Sequence, residues 1–262
     1  MAPNSAANSL ARVVLPEPGN PMVTKSLLRC VTRSIAQSCR EDDAPLCRVS
    51  AEKIAPPKPT SPKVRPVVDR YQTCVVFLLG YPGVGKRTVG TQLTALLDGV
   101  LVDNQLINLP LLTLFKWDGK FPIPMEIWDR VVPIRNAVLG TIEDLAPQSN
   151  SYVFTNVLKD DEAGASEYVN LRSLAQRRGS LFLSVMLDCD VDEQVRRIDN
   201  PDRIARLKGS DPEGYRRHRQ HTTLFQPPPE ELVHLDTTKV DARQNAETIY
   251  ATLIRRGFER AE

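Results

Sequence analysis

The sequence predicts an α/β fold in which five parallel strands form one sheet with helices on both of its faces. Short apolar runs alternate along the chain with longer stretches whose apolar residues recur every three or four positions, as expected when strands and helices follow one another. Such alternation favours parallel strands joined by right-handed crossovers. In this architecture, ligands bind at the carboxyl ends of the strands.

The individual elements follow from these two patterns. A wholly apolar run from Cys74 predicts the first strand, and the next helix continues to Leu97, where Asp98 and Gly99 end it. Pro133 is expected to kink the long helix that contains it. Later strands are predicted over residues 100–103, 152–158, 181–187 and 232–235, and later helices over residues 125–145, 163–178 and 242–256.

A glycine-rich turn, GYPGVGKRT, links the first strand to the first helix at residues 80–88. Its glycines allow successive backbone N–H groups to turn inward around a phosphate, at the positive end of the following helix. A lysine at the end of such a turn reaches the β- and γ-phosphates of a bound nucleotide. The predicted nucleotide-binding residues are Gly80, Gly83, Val84, Gly85, Lys86, Arg87 and Thr88.

The turn departs from the common phosphate-binding pattern at one position. That pattern places Ser or Thr directly after the lysine to hold magnesium, whereas this chain has Arg87 there and Thr88 one position later. A Gly-Lys-x-Thr sequence after a Pro-Gly pair resembles the loop of adenylate kinase and related small-molecule kinases. The resemblance implies a P-loop NTPase three-layer sandwich that uses ATP and Mg²⁺, with Thr88 as a metal ligand.

An aspartate at the end of the second predicted strand is the main candidate for handling an acceptor. In shikimate kinase and chloramphenicol phosphotransferase, which this region resembles, an acid after the second strand orients the acceptor hydroxyl or supports magnesium. Asp103 occupies that place, and a carboxylate there can accept the hydroxyl proton or hold the water shell of the metal. The alternative is that Asp103 only caps the helix that contains Leu106.

The third predicted strand ends without the aspartate that many P-loop enzymes use as a second support for magnesium. Thr155 and Asn156 stand there instead. Either Asp160 or Asp161 reaches back to the metal, or Asp103 serves alone, and the sequence is compatible with both arrangements.

The chain is rich in arginine between residues 192 and 221, where small kinases carry a mobile lid. An Asn-Pro pair at 200–201 and an Asp-Pro pair at 211–212 each predict a helix start. Arginines in a lid neutralise the charge that spreads over the γ-phosphoryl oxygens. Arg203 and Arg206, one turn apart, are therefore predicted to be catalytic. The alternative is a solvated surface of salt-bridged helices.

An acceptor pocket is expected between the second strand and the helix that follows residue 125. Trp117, Trp128, Arg130 and Arg135 are available there. An arginine beside an aromatic wall can hold an anionic or sugar-like acceptor. Tryptophans at such positions are more often part of the core.

Composition changes near residue 70. Residues 1–70 contain 10 of the 21 prolines and 11 of the 34 Lys and Arg, but only 6 of the 32 Asp and Glu. This composition predicts a disordered, proline-rich basic extension ahead of a nucleotide-binding, kinase-like domain at residues 71–262. Residues 22–40 also have the look of an organelle transit peptide, but their place after Glu17 and four prolines favours disorder or a start codon placed too far upstream.

Charge and cysteine content limit the expected partners and compartment. The slightly acidic balance of residues 71–262 argues against nucleic acid as a partner, and no run is long enough to span a membrane. Five cysteines without a disulfide framework or metal-ligand spacing predict a reducing, cytoplasmic compartment, with Cys74 and Cys189 buried on core strands.

Together these features predict an ATP-dependent phosphotransferase that moves the γ-phosphoryl group of ATP to a small hydroxylated acceptor. Its catalytic residues would be Lys86, Asp103, Arg203 and Arg206, with Thr88 and Asp103 at the Mg²⁺ ion. Two alternatives remain open. The chain could be a catalytically weak nucleotide sensor or assembly module, or a kinase that acts on the 5′ ends of polynucleotides.

Overall fold

The computed structural model describes residues 70–120 and 122–260. The disordered extension predicted over residues 1–70 lies, except for Arg70, outside these described residues, as does the transit peptide considered over residues 22–40. Five parallel strands form one sheet. They are β1 (Cys74–Leu79), β2 (Val100–Asp103), β3 (Tyr152–Thr155), β4 (Leu181–Asp188) and β5 (Leu232–Asp236), and their order in the sheet is β2-β3-β1-β4-β5.

Helices connect the strands and cover the sheet. They are α1 (Lys86–Leu97), α2 (Asn104–Leu114), α3 (Ile127–Asp144), α4 (Glu162–Arg177), α5 (Val191–Ile198), α6 (Pro201–Ala205), α7 (Pro212–His221) and α8 (Ala242–Arg255), with one 3₁₀ turn at Pro229–Glu231. Within residues 70–120 and 122–260, no helix has the length and apolar character needed to cross a membrane.

The central strand β1 explains why the sheet is covered on both faces. All of its residues are buried, and it pairs with β3 on one side and β4 on the other. Successive side chains of a strand point to opposite faces. Val76 therefore packs with Leu93 of α1 and Ile249 of α8, whereas Phe77 packs on the other face with Leu174 of α4. The predicted α/β sandwich of three layers is confirmed.

Local capping residues account for the helices of the arginine-rich segment. Asn200 accepts a hydrogen bond from the backbone N–H of Asp202 (2.9 Å), and Asp211 accepts one from Gly214 (3.0 Å), so both predicted helix starts are confirmed. A further cap, Asp190, begins α5. The segment consequently holds three helices where two were predicted.

The third strand is shorter than predicted. The backbone N–H of Asn156 still donates to Leu78 O (3.0 Å), but the strand ends at Thr155. The side chain of Asn156 donates to Glu167 on α4. Polar side chains therefore follow β3 at the same edge of the sheet as the turn after β1.

Both cysteines predicted to be buried are buried free thiols. Cys74 lies on β1, and burial raises the pKa of its thiol to about 12. Cys189 directly follows β4, and burial raises its pKa also. These thiols are therefore poor nucleophiles, because the thiolate is the reactive form.

The packing of α4 predicts unequal effects for two neighbouring apolar residues. Leu174→Ala removes a side chain that is 1% exposed, so we expect it to lower the free energy of unfolding by about 2–5 kcal/mol. Val169→Ala changes a residue on the same helix that is 56% exposed, and we expect a change within about 0.5 kcal/mol. Urea unfolding followed by circular dichroism measures both. Equal losses in the two variants would contradict the described packing of α4.

Candidate functional site

The turn between β1 and α1 depends on glycine at three positions. The φ angles of Gly80, Gly83 and Gly85 are 137°, 91° and 94°, in a region that residues with side chains rarely adopt. Gly80 also lacks space for a side chain, because a Cβ atom there would lie 2.2 Å from Leu187 O. Since Gly85 immediately precedes α1, the unpaired N–H groups of the first helical turn lie at the loop.

Lys86 lies across this turn. Its Nζ atom donates hydrogen bonds to Gly80 O (2.6 Å) and Tyr81 O (2.9 Å). The pKa of Lys86 is lowered to about 7, chiefly by burial and also by the positive charges of Lys208 and Arg203, while Asp103 opposes the shift. The charges of Lys208 and Arg203 are therefore close enough to Lys86 to disfavour its protonated form.

Two polar side chains from elsewhere in the chain hold the backbone carbonyls of the turn. Thr237, which follows β5, donates to Val84 O (2.8 Å). Gln194 of α5 donates to Pro82 O (2.7 Å) and is 2% exposed. These two hydrogen bonds to the carbonyls of Val84 and Pro82 fix the shape of the loop.

The arginine-rich segment contacts the turn through Tyr81. The Tyr81 hydroxyl donates to Thr222 O (2.6 Å) at the end of α7. The guanidinium of Arg219 stacks on the Tyr81 ring, 5.0 Å from its centre, and donates to Asp188 Oδ1 (2.8 Å). Helix α7 is thereby attached to the loop and to the end of β4.

Asp103 forms the centre of a second polar group at the end of β2. Its carboxylate accepts hydrogen bonds from Thr155 Oγ1 (2.8 Å), Lys208 Nζ (3.0 Å) and an Arg87 nitrogen (3.3 Å). Burial raises the pKa of Asp103, but Lys208 and Thr155 lower it more, so the net shift is downward. Asp103 also caps α2 through a long bond from Gln105 N (3.5 Å). Asp103 therefore does cap α2, but the cap is only one of the contacts of this carboxylate, and its catalytic role remains a prediction.

The residue in the usual metal-binding position of the turn contacts Asp103. Arg87, which replaces the expected Ser or Thr, makes this ion pair with a side chain that is 44% exposed. Thr88 is exposed on the first turn of α1. Their predicted roles toward a nucleotide or metal remain predictions.

The donor atoms present suit a magnesium ion that arrives with a nucleotide. Among the residues that the structure describes, no three His, Cys, Asp or Glu side chains converge to hold a metal by themselves. Magnesium usually keeps several waters and binds through one or two carboxylates together with substrate phosphates. The Asp103 carboxylate and the Thr88 hydroxyl fit that pattern.

Asp160 and Asp161 were the possible substitutes for an aspartate at the end of β3. Asp161 is the N-cap of α4, where it accepts from Gly164 N (2.8 Å). The Asp160 side chain is exposed. Thr155, the last residue of β3, instead donates directly to Asp103, so strand three supports this carboxylate through a hydroxyl.

The two arginines predicted to be catalytic differ in their surroundings. Arg203 donates to Gly209 O from two nitrogens (2.9 and 2.8 Å) and lies 5.8 Å from the centre of the Tyr215 ring. Arg206 lies just beyond α6, which ends at Ala205, and its side chain is exposed. Arg203 is therefore directed toward the interior of the segment, and Arg206 is not.

Lys208 is a site residue that was not predicted from the sequence. It belongs to the lid tip, which we define as residues 207–210. Leu207 has a φ angle of 50°, and this turn precedes the lysine that reaches Asp103. Gln105 Nε2 donates to Leu207 O (2.9 Å). The only signal in the sequence was the basic run itself, because the contact joins residues 105 positions apart.

The lid tip is also bonded to the segment between α2 and α3. The backbone N–H of Ser210 donates to Gly119 O (2.9 Å), and its hydroxyl donates to Asp118 O (3.3 Å). A Cβ atom at Gly119 would lie 2.6 Å from Lys208 O. The lid tip is thus closely packed against this segment.

A small cavity lies between the sheet and helices α2, α3 and α4. Its volume is about 20 Å³, which is room for about one water molecule. Of the residues predicted for an acceptor pocket, Arg135 lines it, whereas Trp117, Trp128 and Arg130 do not. The lining residues are Phe77, Val102, Asn104, Ile107, Arg135, Leu139, Phe154, Thr155, Asn156, Glu167 and Leu171.

The polar residues of this cavity form one connected group. Arg135 donates to Glu167 Oε2 (2.6 Å) and to Asn104 Oδ1 (3.2 Å), and Asn156 donates to the other oxygen of Glu167. Burial raises the pKa of Glu167, and the Arg135 charge opposes that shift. We call these four residues the acceptor-side cluster.

Comparison with known proteins supports the fold. No protein-family profile and no curated protein sequence matches this chain. A solved structure of a Chloroflexus aurantiacus protein described as a candidate kinase matches with a TM-score of 0.50 at 15% identity, over 69% of this chain and 98% of its own. With the glycine-rich turn after β1, this likeness shows the P-loop α/β fold.

Two further solved structures are similar. A sugar kinase from Janibacter has a TM-score of 0.48 at 16% identity, and the match covers 70% of this chain and 95% of that one. A gluconokinase from Sinorhizobium meliloti has a TM-score of 0.48 at 15% identity, and the match covers 72% of this chain and 99% of that one.

The geometry of the turn predicts opposite effects for two glycine replacements. Gly80→Ala forces a side chain onto Leu187 O at a positive φ angle, so we expect a loss of at least about 1–3 kcal/mol in the free energy of unfolding. Gly140→Ala adds a methyl group on α3 with no other atom within 4 Å, so we expect a gain of roughly 0.5–1 kcal/mol. Urea unfolding tests both. A Gly80→Ala variant as stable as the wild type would show that the described turn is wrong.

Proposed function

We propose that this chain is an ATP-dependent kinase that transfers the γ-phosphoryl group to a hydroxyl of a small acceptor. The observation that carries the proposal is the glycine-rich turn before α1, across which Lys86 Nζ lies 2.6 Å from Gly80 O and 2.9 Å from Tyr81 O. Lys208 and Arg203 repel the Lys86 charge, and the carboxylate of Asp103 is already paired with Lys208 at 3.0 Å. A polyphosphate chain, with its several negative oxygens, relieves that repulsion.

The turn and its lysine would bind the phosphates. The N–H groups at the start of α1 and the positive end of the helix dipole favour an anion there. Lys86 would exchange its bonds to Gly80 O and Tyr81 O for phosphate oxygens. Because Thr237 and Gln194 hold the carbonyls of the turn, binding requires little rearrangement of the loop.

The transfer itself would be an in-line displacement at phosphorus. The acceptor oxygen forms a bond to the γ-phosphorus, the bond to the β–γ bridging oxygen breaks, and ADP leaves with that oxygen. Asp103 accepts the hydroxyl proton and releases it to solvent. Arg203 and Lys208 neutralise charge on the γ-phosphoryl oxygens. Thr88 and Asp103 would hold Mg²⁺, which would supply positive charge that neutralises the phosphates.

Lys208 has to change partner during this reaction. In the structure it is paired with Asp103 at 3.0 Å, and the Asp103 side chain is only 12% exposed. An acceptor hydroxyl can reach that carboxylate only after the lid tip has moved. Lys208 then becomes available to the phosphoryl group. The same movement of the lid tip therefore exposes Asp103 to the acceptor and frees Lys208 for ATP.

A nucleotide sensor without transferase activity is a second candidate. Arg87 in the metal-binding position and Lys208 from the lid tip both pair with Asp103. If both pairs persist when nucleotide binds, the carboxylate has no capacity left for an acceptor or a metal. Turnover separates this candidate from a kinase.

The proposal predicts nucleotide binding and turnover that depend on Lys86. We expect ATP with Mg²⁺ to raise the melting temperature of the full chain, and a panel of small hydroxylated compounds to stimulate ADP release. Lys86→Ala removes the charge that holds the β- and γ-phosphates, so turnover should fall by at least about 100-fold. The matched control is Arg243→Ala, which removes an exposed cation that pairs with Glu247 on α8 and should leave turnover unchanged.

The outcomes of this experiment distinguish the candidates. A melting shift with no ADP release from any compound would favour the sensor. ADP release that is equal in wild type and Lys86→Ala would overturn the assignment of the glycine-rich turn as the phosphate site.

A further inference from the structure

The cavity described above lies directly beside Asp103. Asn104 follows Asp103 in the chain, Thr155 donates to its carboxylate, and both residues line the cavity. A ligand that places one hydroxyl at Asp103 therefore directs a neighbouring substituent toward this cavity. The chemistry of the acceptor-side cluster then selects which substituent is accepted.

The charges of the acceptor-side cluster balance within the cluster. The Arg135 guanidinium and the Glu167 carboxylate form an ion pair at 2.6 Å, and each side chain is 20% exposed. Asn104 and Asn156 satisfy further atoms of the same two groups. A carboxylate or phosphate that bound Arg135 would have to displace Glu167, and an unpaired, largely buried carboxylate is strongly unfavourable. The arginine is thus present but unavailable to an anion.

The size and hydrogen-bonding character of the cavity suit a hydroxyl group. A volume of about 20 Å³ accepts a group the size of water, whereas a carboxylate or phosphate is larger. The lining offers acceptor atoms on Glu167 and Asn104 beside the donor Arg135. A hydroxyl group both donates and accepts hydrogen bonds, whereas an ionised carboxylate only accepts.

We propose that the acceptor is an uncharged polyhydroxylated compound, a sugar or polyol, and that the Arg135–Glu167 pair excludes the corresponding acids. This inference rests on the proposed function, since it names the class of acceptor for the same site. One hydroxyl of the acceptor lies at Asp103, and a second enters the cavity of the acceptor-side cluster.

Matched pairs of neutral and acidic ligands test the inference. Glucose is compared with gluconate, and glycerol with glycerate. Binding to the full chain with ATP and Mg²⁺ omitted is measured by calorimetry, and ADP release is measured separately with both present. We expect wild type to bind the neutral member of each pair at least about 10-fold more tightly than the acid, a difference of about 1.4 kcal/mol.

A charge-removing variant and its matched control show whether the ion pair is responsible. Glu167→Gln frees Arg135, so we expect the preference to shift toward the acid by at least about 10-fold. Glu143→Gln also breaks an ion pair between α3 and α4, the exposed pair with Arg177, but lies outside the cavity lining. It should leave the preference unchanged.

Each result has a definite meaning. The inference is overturned if wild type prefers the acids, if it binds no neutral member, or if Glu167→Gln shifts the preference no more than Glu143→Gln. Neutral binding with the expected shift but without ADP release supports the acceptor class while contradicting phosphoryl transfer. The comparison of neutral and acidic ligands with the wild type needs no variant, so it tests the acceptor class even if Glu167→Gln does not fold.

Discussion

The close approach of β1 and β4 at their carboxyl ends governs the whole site. Leu187 O occupies the space that a side chain at position 80 would need, so the chain can turn there only through glycine. The turn brings Lys86 back across the loop and places the start of α1 at the edge of the sheet. Thr237 and Gln194, from the two segments that follow β5 and β4, then hold the loop carbonyls.

Features encoded by neighbouring residues could be predicted from the sequence. The glycine-rich turn, the buried central strand and the caps at Asn200 and Asp211 each depend on a few consecutive residues, and the structure contains all of them. Asp103 could be singled out because parallel strands place their carboxyl ends at one edge. Strand lengths were less predictable, since strand β3 ends at Thr155 although one further hydrogen bond, from Asn156 N to Leu78 O, joins it to β1 and apolar residues follow.

Features that join distant parts of the chain could not be predicted. Lys208 was one basic residue among many, and its contact with Asp103 depends on a left-handed turn and on the position of the whole arginine-rich segment. Arg135 was a candidate for binding an anionic acceptor, but its charge is paired with Glu167, which lies on another helix. Arg87 was recognised as unusual, yet only the fold shows that it reaches Asp103.

The attachment of the lid tip has a kinetic consequence. To uncover Asp103, the tip must release bonds to Gln105 and Asp103 itself, at the start of α2, and to Gly119, in the segment between α2 and α3. A motion that breaks several bonds together is typically a microsecond-to-millisecond event. The frequency of this opening therefore sets an upper limit on the exchange rate of any ligand that contacts Asp103, however fast the chemistry that follows.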